Sequence, residues 1–328
     1  MNTSCATQDI LDRLSGFNLK FSQIIDLLAI SITFFATYSA IKVISTQSIF
    51  QVSTKILLFQ ILIYANLHQV FYGIEAIGLL YRSLFMLADP CNLLQSDAHC
   101  APYLEVLMCG ICGMVYGQTG LLIERGFATF SKCYGSKKRL IIGAIISFVV
   151  MICSLSTGRL LLWDDPLNGH VMGCFAFPKN SSVRSGYYFL VCTVLTLLNL
   201  IVSIWIMRYN KRCEYETRFK VGARFQKREV IESTGAICFL TLSQFIFMFL
   251  YSFGIYTLKF IRDSIHPQTF YFWIVWCYTM PFIALMFPVL LIYLIRRTRA
   301  RRALKIVGIT NRKQTQDDHI TEMKSMWT

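Results

Sequence analysis

Seven apolar runs divide the chain, and short polar loops separate them. They cover residues 21–43, 56–80, 103–130, 140–162, 187–207, 230–258 and 270–295. A hydrocarbon core of about 30 Å needs about 20 apolar residues in a helix, and every run meets that length. Backbone groups in lipid have to be hydrogen-bonded within their own segment, so each run predicts one membrane-spanning helix. Barrel strands would be shorter and alternating, so the pattern predicts an all-α bundle of seven helices.

The polar segments at both ends define the remaining organisation. We expect residues 1–20 to form an extracellular N-terminus, 21–295 the bundle and 296–328 a basic cytoplasmic tail. Residues 296–305 combine many arginines with Ala and Leu, which predicts a short amphipathic helix along the membrane after the seventh run. Only 15% of the residues are charged, which is less charge than soluble domains of this size carry.

Basic residues are distributed unevenly between the two sets of loops. The formal net charge is +14, and most of the 32 Lys and Arg residues lie in the tail and in the loops after the first, third and fifth runs. The opposite set holds Arg13, Lys20, Arg82, Lys179, Arg184, Lys259 and Arg262. Positive residues concentrate on the cytoplasmic side, so the N-terminus is predicted outside and the C-terminus inside. The basic surface then faces anionic inner-leaflet lipid, and no nucleic-acid partner is expected.

Two N-x-Ser/Thr sequons agree with this orientation. They are Asn2-Thr3-Ser4 and Asn180-Ser181-Ser182, and both lie in segments that the charge pattern places outside. Glycosylation needs an acceptor on the lumenal or extracellular side. Asn2 and Asn180 are therefore the candidate glycosylation sites.

Four of the 12 cysteines are predicted to face the oxidising side: Cys5, Cys91, Cys100 and Cys174. Four cysteines allow three pairings. The favoured one joins Cys100, at the mouth of the third run, to Cys174 and leaves Cys5 to pair with Cys91. The local pair Cys91–Cys100 is the alternative. The remaining cysteines lie within runs or face the cytosol, where they are expected to be packing residues or reduced thiols.

Glu124 and Arg125 lie at the cytoplasmic end of the third run. An ionisable residue inside a membrane is a candidate for function, because its burial costs a few kcal/mol or more. Arginine hardly loses its proton, so Arg125 has to be paired or reach water. Along a helix, Cys100 and Arg125 are about 37 Å apart and mark the two ends of one span. The simpler interpretation is an interfacial arginine that reaches the headgroups.

Seven runs, an outer N-terminus, a cysteine that begins the third run and Glu-Arg at its end resemble a rhodopsin-like G-protein-coupled receptor. The resemblance implies that Arg125 closes the bundle at rest and faces a heterotrimeric G protein in the active state. It also implies a partner acid at the inner end of the sixth span, for which Glu229 and Glu232 are candidates. The chain departs from the family because it lacks Asn-Pro-x-x-Tyr in the seventh run, a proline in the sixth and a central Asp in the second.

The chain more closely resembles the class alpha serpentine chemoreceptors of nematodes. The likeness rests on Cys5, on outer segments 89–91 and 100–103, on residues 117–129 of the third run and on 224–229 of the third inner loop. It implies a chemosensory receptor for an extracellular small molecule or peptide, in the plasma membrane and specifically the ciliary membrane of sensory neurons. The surface expected to contact the G protein consists of Glu124, Arg125, Thr129, Arg224, Lys227, Arg228 and Glu229.

Polar and aromatic residues in the outer halves of the runs are the candidate ligand contacts. They are Tyr72, Glu75, Glu105, Met108, Cys112, Tyr251, Tyr256, Trp273, Trp276 and Cys277. Trp and Tyr also form interfacial belts with no role in binding. Glu75 is the strongest candidate, since an acid within an apolar run binds a cationic group or pairs with Arg159 of the fourth run. His68 is expected to be a packed polar residue, and Asp26 to reach the interface.

Two other classes of protein compete with a receptor. An intramembrane enzyme needs metal-spaced His and Asp or a nucleophilic centre, and the acids of the runs lie at scattered depths, so neither catalysis nor a metal nor a cofactor is expected. A seven-span ligand-gated channel or transporter is the alternative function. Seven-span odorant-gated channels have the opposite topology, and transporters show repeats and broken helices, which the sequence does not suggest.

Overall fold

A computed structural model of the protein describes residues 5–47, 50–130, 136–216, 221–310, 320, 324 and 325, without the side chains of 221–227 and of some other helix-end residues. Within these residues, seven helical segments are long and apolar enough to cross a membrane. We call them the first to seventh spans: Phe17–Gln47, Val52–Phe85, Asp97–Phe130, Ser136–Leu162, Lys179–Glu216, Val221–Ile261 and, in two pieces, Pro267–Cys277 with Met280–Thr310. The predicted all-α bundle of seven helices is confirmed.

Small elements cover one end of the bundle, which we call the outer end in accordance with the predicted orientation. Helix α1 (Gln8–Ser15) precedes the first span, and a 3-10 turn (Arg262–Ser264) follows the sixth. Strands β1 (Gln95–Ser96) and β2 (His170–Val171) form an antiparallel pair that joins the two outer loops flanking the third and fourth spans. The orientation itself stays a prediction.

The seventh span is broken, so the prediction of one helix for each run is wrong there. Its two pieces are separated by Tyr278 and Thr279. Pro281 explains the break, because proline lacks an N–H and so cannot donate the helical hydrogen bond to the carbonyl of Cys277. The carbonyl of Thr279 accepts hydrogen bonds from the N–H groups of Phe282 and Ile283, which begins the second piece. The expectation of unbroken spans therefore no longer argues against a transporter.

The second piece of the seventh span continues without interruption to Thr310. This differs from the expected separate helix over residues 296–305. That segment contains no glycine or proline to end the helix, and Arg302 forms an ion pair with Glu232 of the sixth span. The basic segment 296–305 therefore continues the seventh helix and does not form a separate one.

The third span is the most buried and packs against the second, fourth, fifth and sixth spans. Glycines on one face bring its backbone close to the second span. A Cβ atom on Gly113 would lie 2.2 Å from Cγ of Tyr64, and one on Gly117 would lie 2.4 Å from Cγ1 of Ile61. Small residues permit such close approach of helices in membranes. The second and third spans therefore pack with no room for a further side-chain atom at these positions.

Replacing Gly113 with Ala is expected to destabilise the bundle by about 1–3 kcal/mol, because the new methyl group overlaps the ring of Tyr64. The measurement is the apparent melting temperature of the purified protein. Gly126→Ala is the matched control on the same span, since its Cβ would meet no atom within 4 Å. The control should be neutral or slightly stabilising, because alanine favours helix over glycine. Equal melting temperatures for the two variants would contradict the close packing.

Candidate functional site

The inner end of the bundle contains a buried ion pair. Glu124 and Arg125 are both 0% exposed. Nε of Arg125 donates to Oε2 of Glu124 at 2.6 Å, and Nη2 donates to Oε1 at 2.7 Å. The side chain of Arg125 is therefore inside the protein. The simpler interpretation, an arginine that reaches the headgroups, is wrong.

Two neighbouring spans hold this pair. In the second span, the hydroxyl of Ser53 donates to Oε1 of Glu124 at 2.6 Å, and that of Thr54 donates to Oε2 at 3.1 Å. In the sixth span, Oγ of Ser233 accepts a hydrogen bond from Nη1 of Arg125 at 2.9 Å. The pair thus joins the second, third and sixth spans through charge-assisted hydrogen bonds, which are stronger than neutral ones.

The sixth-span partner of Arg125 is Ser233, and the prediction of Glu229 or Glu232 is wrong. Successive residues of a helix point about 100° apart, since one turn takes 3.6 residues. Ser233 faces the third span, whereas Glu232 points toward the seventh span, where Nε of Arg302 donates to its Oε2 at 2.7 Å. A neutral hydroxyl therefore stands where the resemblance implied a carboxylate.

Other residues predicted to contact a G protein surround this inner end. Thr129 is half-buried, and its hydroxyl accepts a hydrogen bond from Nδ2 of Asn210 in the fifth span at 2.9 Å. Arg228 is exposed and Glu229 half-buried at the inner end of the sixth span. The side chains of Arg224 and Lys227 lie outside the described residues. The described members lie at the inner ends of the third and sixth spans.

Two disulfides tie the outer loops to the bundle. They join Cys5 to Cys91 and Cys100 to Cys174, which is the favoured pairing of the four outer cysteines. The second disulfide fixes the loop that follows the fourth span to the outer end of the third span. This loop reaches into the bundle, because the backbone N–H of Cys174 donates to Oε2 of buried Glu75 at 3.1 Å.

Beneath this loop lie polar and aromatic side chains that we call the outer cluster: Asp26, His68, Tyr72, Phe175, Tyr251 and Tyr278, which contact one another, and Glu75, which bonds to the loop itself. The hydroxyl of Tyr72 donates to Oδ2 of Asp26 at 2.8 Å. The rings of Tyr72 and Tyr278 stack with centroids 5.0 Å apart. Phe175 of the loop packs against both rings, and Tyr251 of the sixth span packs against the ring of Tyr278. The cluster joins the first, second, sixth and seventh spans to the outer loop.

Three of the predicted ligand contacts belong to the outer cluster, namely Tyr72, Glu75 and Tyr251. Met108 and Cys112 lie in the adjoining core of the bundle, where the hydroxyl of Tyr188 donates to Sγ of Cys112. These five residues face the interior, and four of them come from the second and third spans.

The other predicted contacts lie away from the cluster. Tyr256 and Trp273 are exposed on the outside of the bundle. The indole N–H of Trp276 donates to Oδ1 of Asn18 in the first span. Cys277 packs against the position of Gly254 in the sixth span. Tyr256, Trp273 and Trp276 therefore do not line a shared pocket, and their positions agree better with aromatic residues at the membrane interface.

The predicted pairing of Glu75 with Arg159 is wrong. Nε of Arg159 lies 3.6 Å from Oε2 of Glu105 at the edge of the bundle. Glu75 instead accepts a hydrogen bond from the backbone N–H of Cys174, and Arg82 lies two turns further along its own span. Nε and Nη2 of Arg82 are buried and have no hydrogen-bond partner among the described residues. The outer end of the second span therefore holds a buried acid and a buried base.

Several members of the outer cluster are not among the residues predicted to contact a ligand. Asp26 was expected at the interface but is buried, because Tyr72 supplies the hydrogen bond that replaces water. Nε2 of His68 lies 3.2 Å from the hydroxyl of Tyr278, so His68 belongs to the same network. A signal existed for His68, because Tyr72 follows it by one helical turn on the same face of the second span. Nothing comparable marked Tyr278, which lies at the break of the seventh span.

The loop between the fourth and fifth spans also carries the second sequon. Asn180 is exposed in the first turn of the fifth span. Asp165 accepts hydrogen bonds from the backbone N–H and the hydroxyl of Ser181, at 2.9 and 2.6 Å, and so caps that helix. Slight burial raises the pKa of Asp165, but hydrogen bonds from Ser181 and Leu167 outweigh it and hold the pKa below its usual value.

Replacing Asn180 with Gln is expected to remove an endoglycosidase-sensitive mobility shift, because the exposed side chain lies at the outer end. Immunoblots before and after endoglycosidase treatment provide the measurement. Asn2→Gln is the comparison, since Asn2 lies outside the described residues and its sequon is separate. If wild type and Asn180→Gln migrate identically before and after treatment, the sequon does not support the predicted orientation.

The seven spans and the buried Glu-Arg pair at the end of the third span are the features of a serpentine membrane receptor. A family model described as serpentine type 7TM GPCR chemoreceptor Sra matches residues 1–327. The chain belongs to this family of chemoreceptors.

Relatives from Caenorhabditis elegans agree over the whole length of the chain. It is 64% identical to serpentine receptor class alpha-6 over 327 residues, which cover 100% of this chain and 99% of the relative. It is 54% identical to serpentine receptor class alpha-2, over 99% of both chains. It is 41% identical to serpentine receptor class alpha-1, over 99% of this chain and 98% of the relative. All three relatives are named as receptors, and none as an enzyme.

Proposed function

We propose that the protein is a chemosensory G-protein-coupled receptor in the plasma membrane, with its N-terminus outside. An extracellular small molecule or peptide binds the outer cluster and shifts the bundle toward a state whose inner end accepts a heterotrimeric G protein. A ligand shifts such an equilibrium only by the difference in its affinity for the two states. The fully buried pair of Glu124 and Arg125, bonded to the sixth span, is the observation that carries the proposal.

The inner pair gives the resting state a defined contact that movement can break. A buried ion pair has to be hydrogen-bonded well to offset its desolvation, and Ser53 and Thr54 supply these bonds from the second span. Ser233 adds one hydroxyl acceptor from the sixth span. A hydrogen bond to a charged group contributes about 1.5–3 kcal/mol. Separation of the sixth span from the third therefore loses one such bond and leaves the Glu124–Arg125 pair intact.

Movement of the sixth span would uncover Arg125 for a helix of the G protein. Thr129, Arg228 and Glu229 then line the opening together with the basic residues Arg224 and Lys227. A helix that enters a groove between helices is a common mode of peptide recognition. The arginines of the tail attract anionic inner-leaflet lipid at the same side of the membrane.

The outer cluster offers suitable chemistry for a ligand. Asp26 and Glu75 are buried acids that accept hydrogen bonds, and Tyr72, Tyr251 and Tyr278 present ring faces. Carboxylates together with aromatic rings favour ligands that carry N–H donors or a positive charge. The remaining candidates, such as Met108 and Cys112, would contact a ligand that reaches deeper toward the third span.

The outer cluster is connected to the spans that would move. Tyr278 immediately precedes Thr279, whose hydroxyl donates to the backbone carbonyl of Phe247 in the sixth span at 2.8 Å. On the other side of the break, the carbonyl of Pro281 accepts a hydrogen bond from Nε2 of Gln69 in the second span at 2.9 Å. A ligand that displaces Tyr278 therefore disturbs the contacts that hold the sixth and seventh spans.

A seven-span ligand-gated channel or transporter is the alternative function, and the broken seventh span is the observation that favours it. The test is a ligand screen on cells that express the full chain with a promiscuous G protein, read by calcium release. The proposal expects ligand-evoked calcium signals that disappear when the G protein is omitted. Ligand-evoked membrane current without any G protein would support the channel instead. Ciliary localisation is tested separately, by fluorescent tagging of the chain in sensory neurons.

A further inference from the structure

A small cavity lies between the third, sixth and seventh spans. Its volume is about 10 Å³, and Gln118, Ser243 and Gln244 are the polar residues that line it. The other lining residues are apolar. Along their helices, Gln118 lies about 10 Å outward from Arg125 and Gln244 about 16 Å outward from Ser233. The cavity is therefore separate from both the inner ion pair and the outer cluster.

Buried amide groups at this cavity need hydrogen-bond partners. Gln118 is 3% exposed and Gln244 is 2% exposed. Oε1 of Gln118, together with both Oε1 and Nε2 of Gln244, has no hydrogen-bond partner among the described residues. Buried side-chain polar atoms are nearly always paired with protein or with ordered water. Three such atoms from two helices at one cavity therefore indicate a shared partner.

We propose that the cavity binds one water molecule that bridges the side chains of Gln118 and Gln244 and so connects the third span to the sixth. A cavity of about 10–15 Å³ accommodates one water, which typically makes about three hydrogen bonds. The two amide oxygens accept the water's O–H groups, and Nε2 of Gln244 donates to its oxygen. A metal cation fits less well, because no carboxylate lines the cavity and the amide N–H carries a partial positive charge.

The bridge adds a second polar contact between the third and sixth spans. It lies further out than the hydrogen bond between Arg125 and Ser233. Under the proposed function, on which this step rests, separation of the two spans breaks both contacts. The net contribution of one hydrogen bond corresponds to about a two- to tenfold change in an equilibrium constant. Loss of the bridge is therefore expected to raise ligand-independent signalling by about that factor.

The first test measures coupling between the two glutamines. Gln118→Leu, Gln244→Leu and the double variant are compared with wild type by the apparent melting temperature of the purified receptor. Each single change leaves the other amide with fewer partners, so the double variant should lose clearly less stability than the sum of the singles. Strictly additive losses would overturn the bridge. If the Leu variants do not fold, the same comparison is made with Gln118→Met, Gln244→Met and their double variant.

The second test detects the water itself in the unmodified receptor. Radiolytic hydroxyl labelling oxidises side chains beside ordered water, and Met114 lines the cavity. Met248 of the sixth span is an equally buried control that is not among the lining residues. Oxidation of Met114 should exceed that of Met248 severalfold and fall in Gln244→Leu. Equal labelling of the two methionines overturns the proposal even when coupling is present, because the amides would then be bonded directly.

These outcomes separate the bridge from the proposed function. Coupling and selective labelling in a receptor that activates no G protein would support the bridge and contradict the signalling role. A receptor that signals but shows neither coupling between the two glutamines nor selective labelling of Met114 would support the proposed function and contradict the bridge. Basal signalling in Gln244→Leu is measured last, with surface expression matched to wild type.

Discussion

Arg125→Ala is expected to abolish ligand-evoked G-protein activation. The substitution removes the group that a G protein would meet at the inner end, and it takes the guanidinium of Arg125 away from the buried carboxylate of Glu124. Breaking a buried ion pair costs about 3–5 kcal/mol, so surface expression should also fall. Calcium release per receptor at the cell surface, with expression counted by flow cytometry, is the measurement.

A matched double variant separates signalling from stability. In Glu124→Gln/Arg125→Gln, both charges are removed together, and the amides can still bond to Ser53, Thr54 and Ser233. Replacing both residues removes the buried carboxylate together with the guanidinium that it pairs with, so expression should recover toward the wild-type level. Signalling should remain absent. A double variant that signals as well as wild type would show that Arg125 is not needed for coupling.

Cys100→Ser and Cys174→Ser are each expected to reduce the amount of receptor at the cell surface severely. Loss of a native disulfide typically costs about 2–5 kcal/mol. Here it also releases the loop whose Cys174 N–H bonds to buried Glu75, so the cover of the outer cluster is lost. The response of any surviving receptor should fall as well. Flow cytometry with an extracellular tag and ligand titration measure the two effects.

Two comparisons make this expectation specific. Cys5→Ser should have a smaller effect, because the Cys5–Cys91 disulfide joins the segment before α1 to the loop between the second and third spans, and the loop above the cluster keeps its own Cys100–Cys174 disulfide. Cys153→Ser should have none, since Cys153 is a free, exposed cysteine of the fourth span. Unchanged expression and response in Cys100→Ser would show that the loop is held by its other contacts alone.

The number and approximate positions of the spans follow from the sequence, because lipid imposes a length and a hydropathy that any apolar run displays. The placement of Cys100 and Arg125 at opposite ends of the third span follows as well, because their separation along a helix is about 37 Å. Which side chain of a span faces a given partner depends instead on its angular position around the helix axis. Glu232 and Ser233 are adjacent in sequence, yet only Ser233 faces Arg125.

Partners brought together by tertiary packing were harder to predict. Asp26 appears as an isolated charge near the end of a run, and only the fold places Tyr72 beside it. The break at Tyr278 is hidden in a continuous apolar run, although Pro281 hints at it. Among the ligand candidates, composition could not separate Tyr251, which faces inward, from Tyr256, which faces outward five residues later.

The glycines of the third span have a practical consequence for observing activation. Since Gly113 and Gly117 leave no space against Tyr64 and Ile61, the second and third spans should stay together when the bundle changes state. Fluorescence distance measurements need one stationary reference dye and one reporter dye. A dye at Lys55 on the second span suits the reference, and one at exposed Arg228 on the sixth suits the reporter. Energy transfer between them would then report displacement of the sixth span alone.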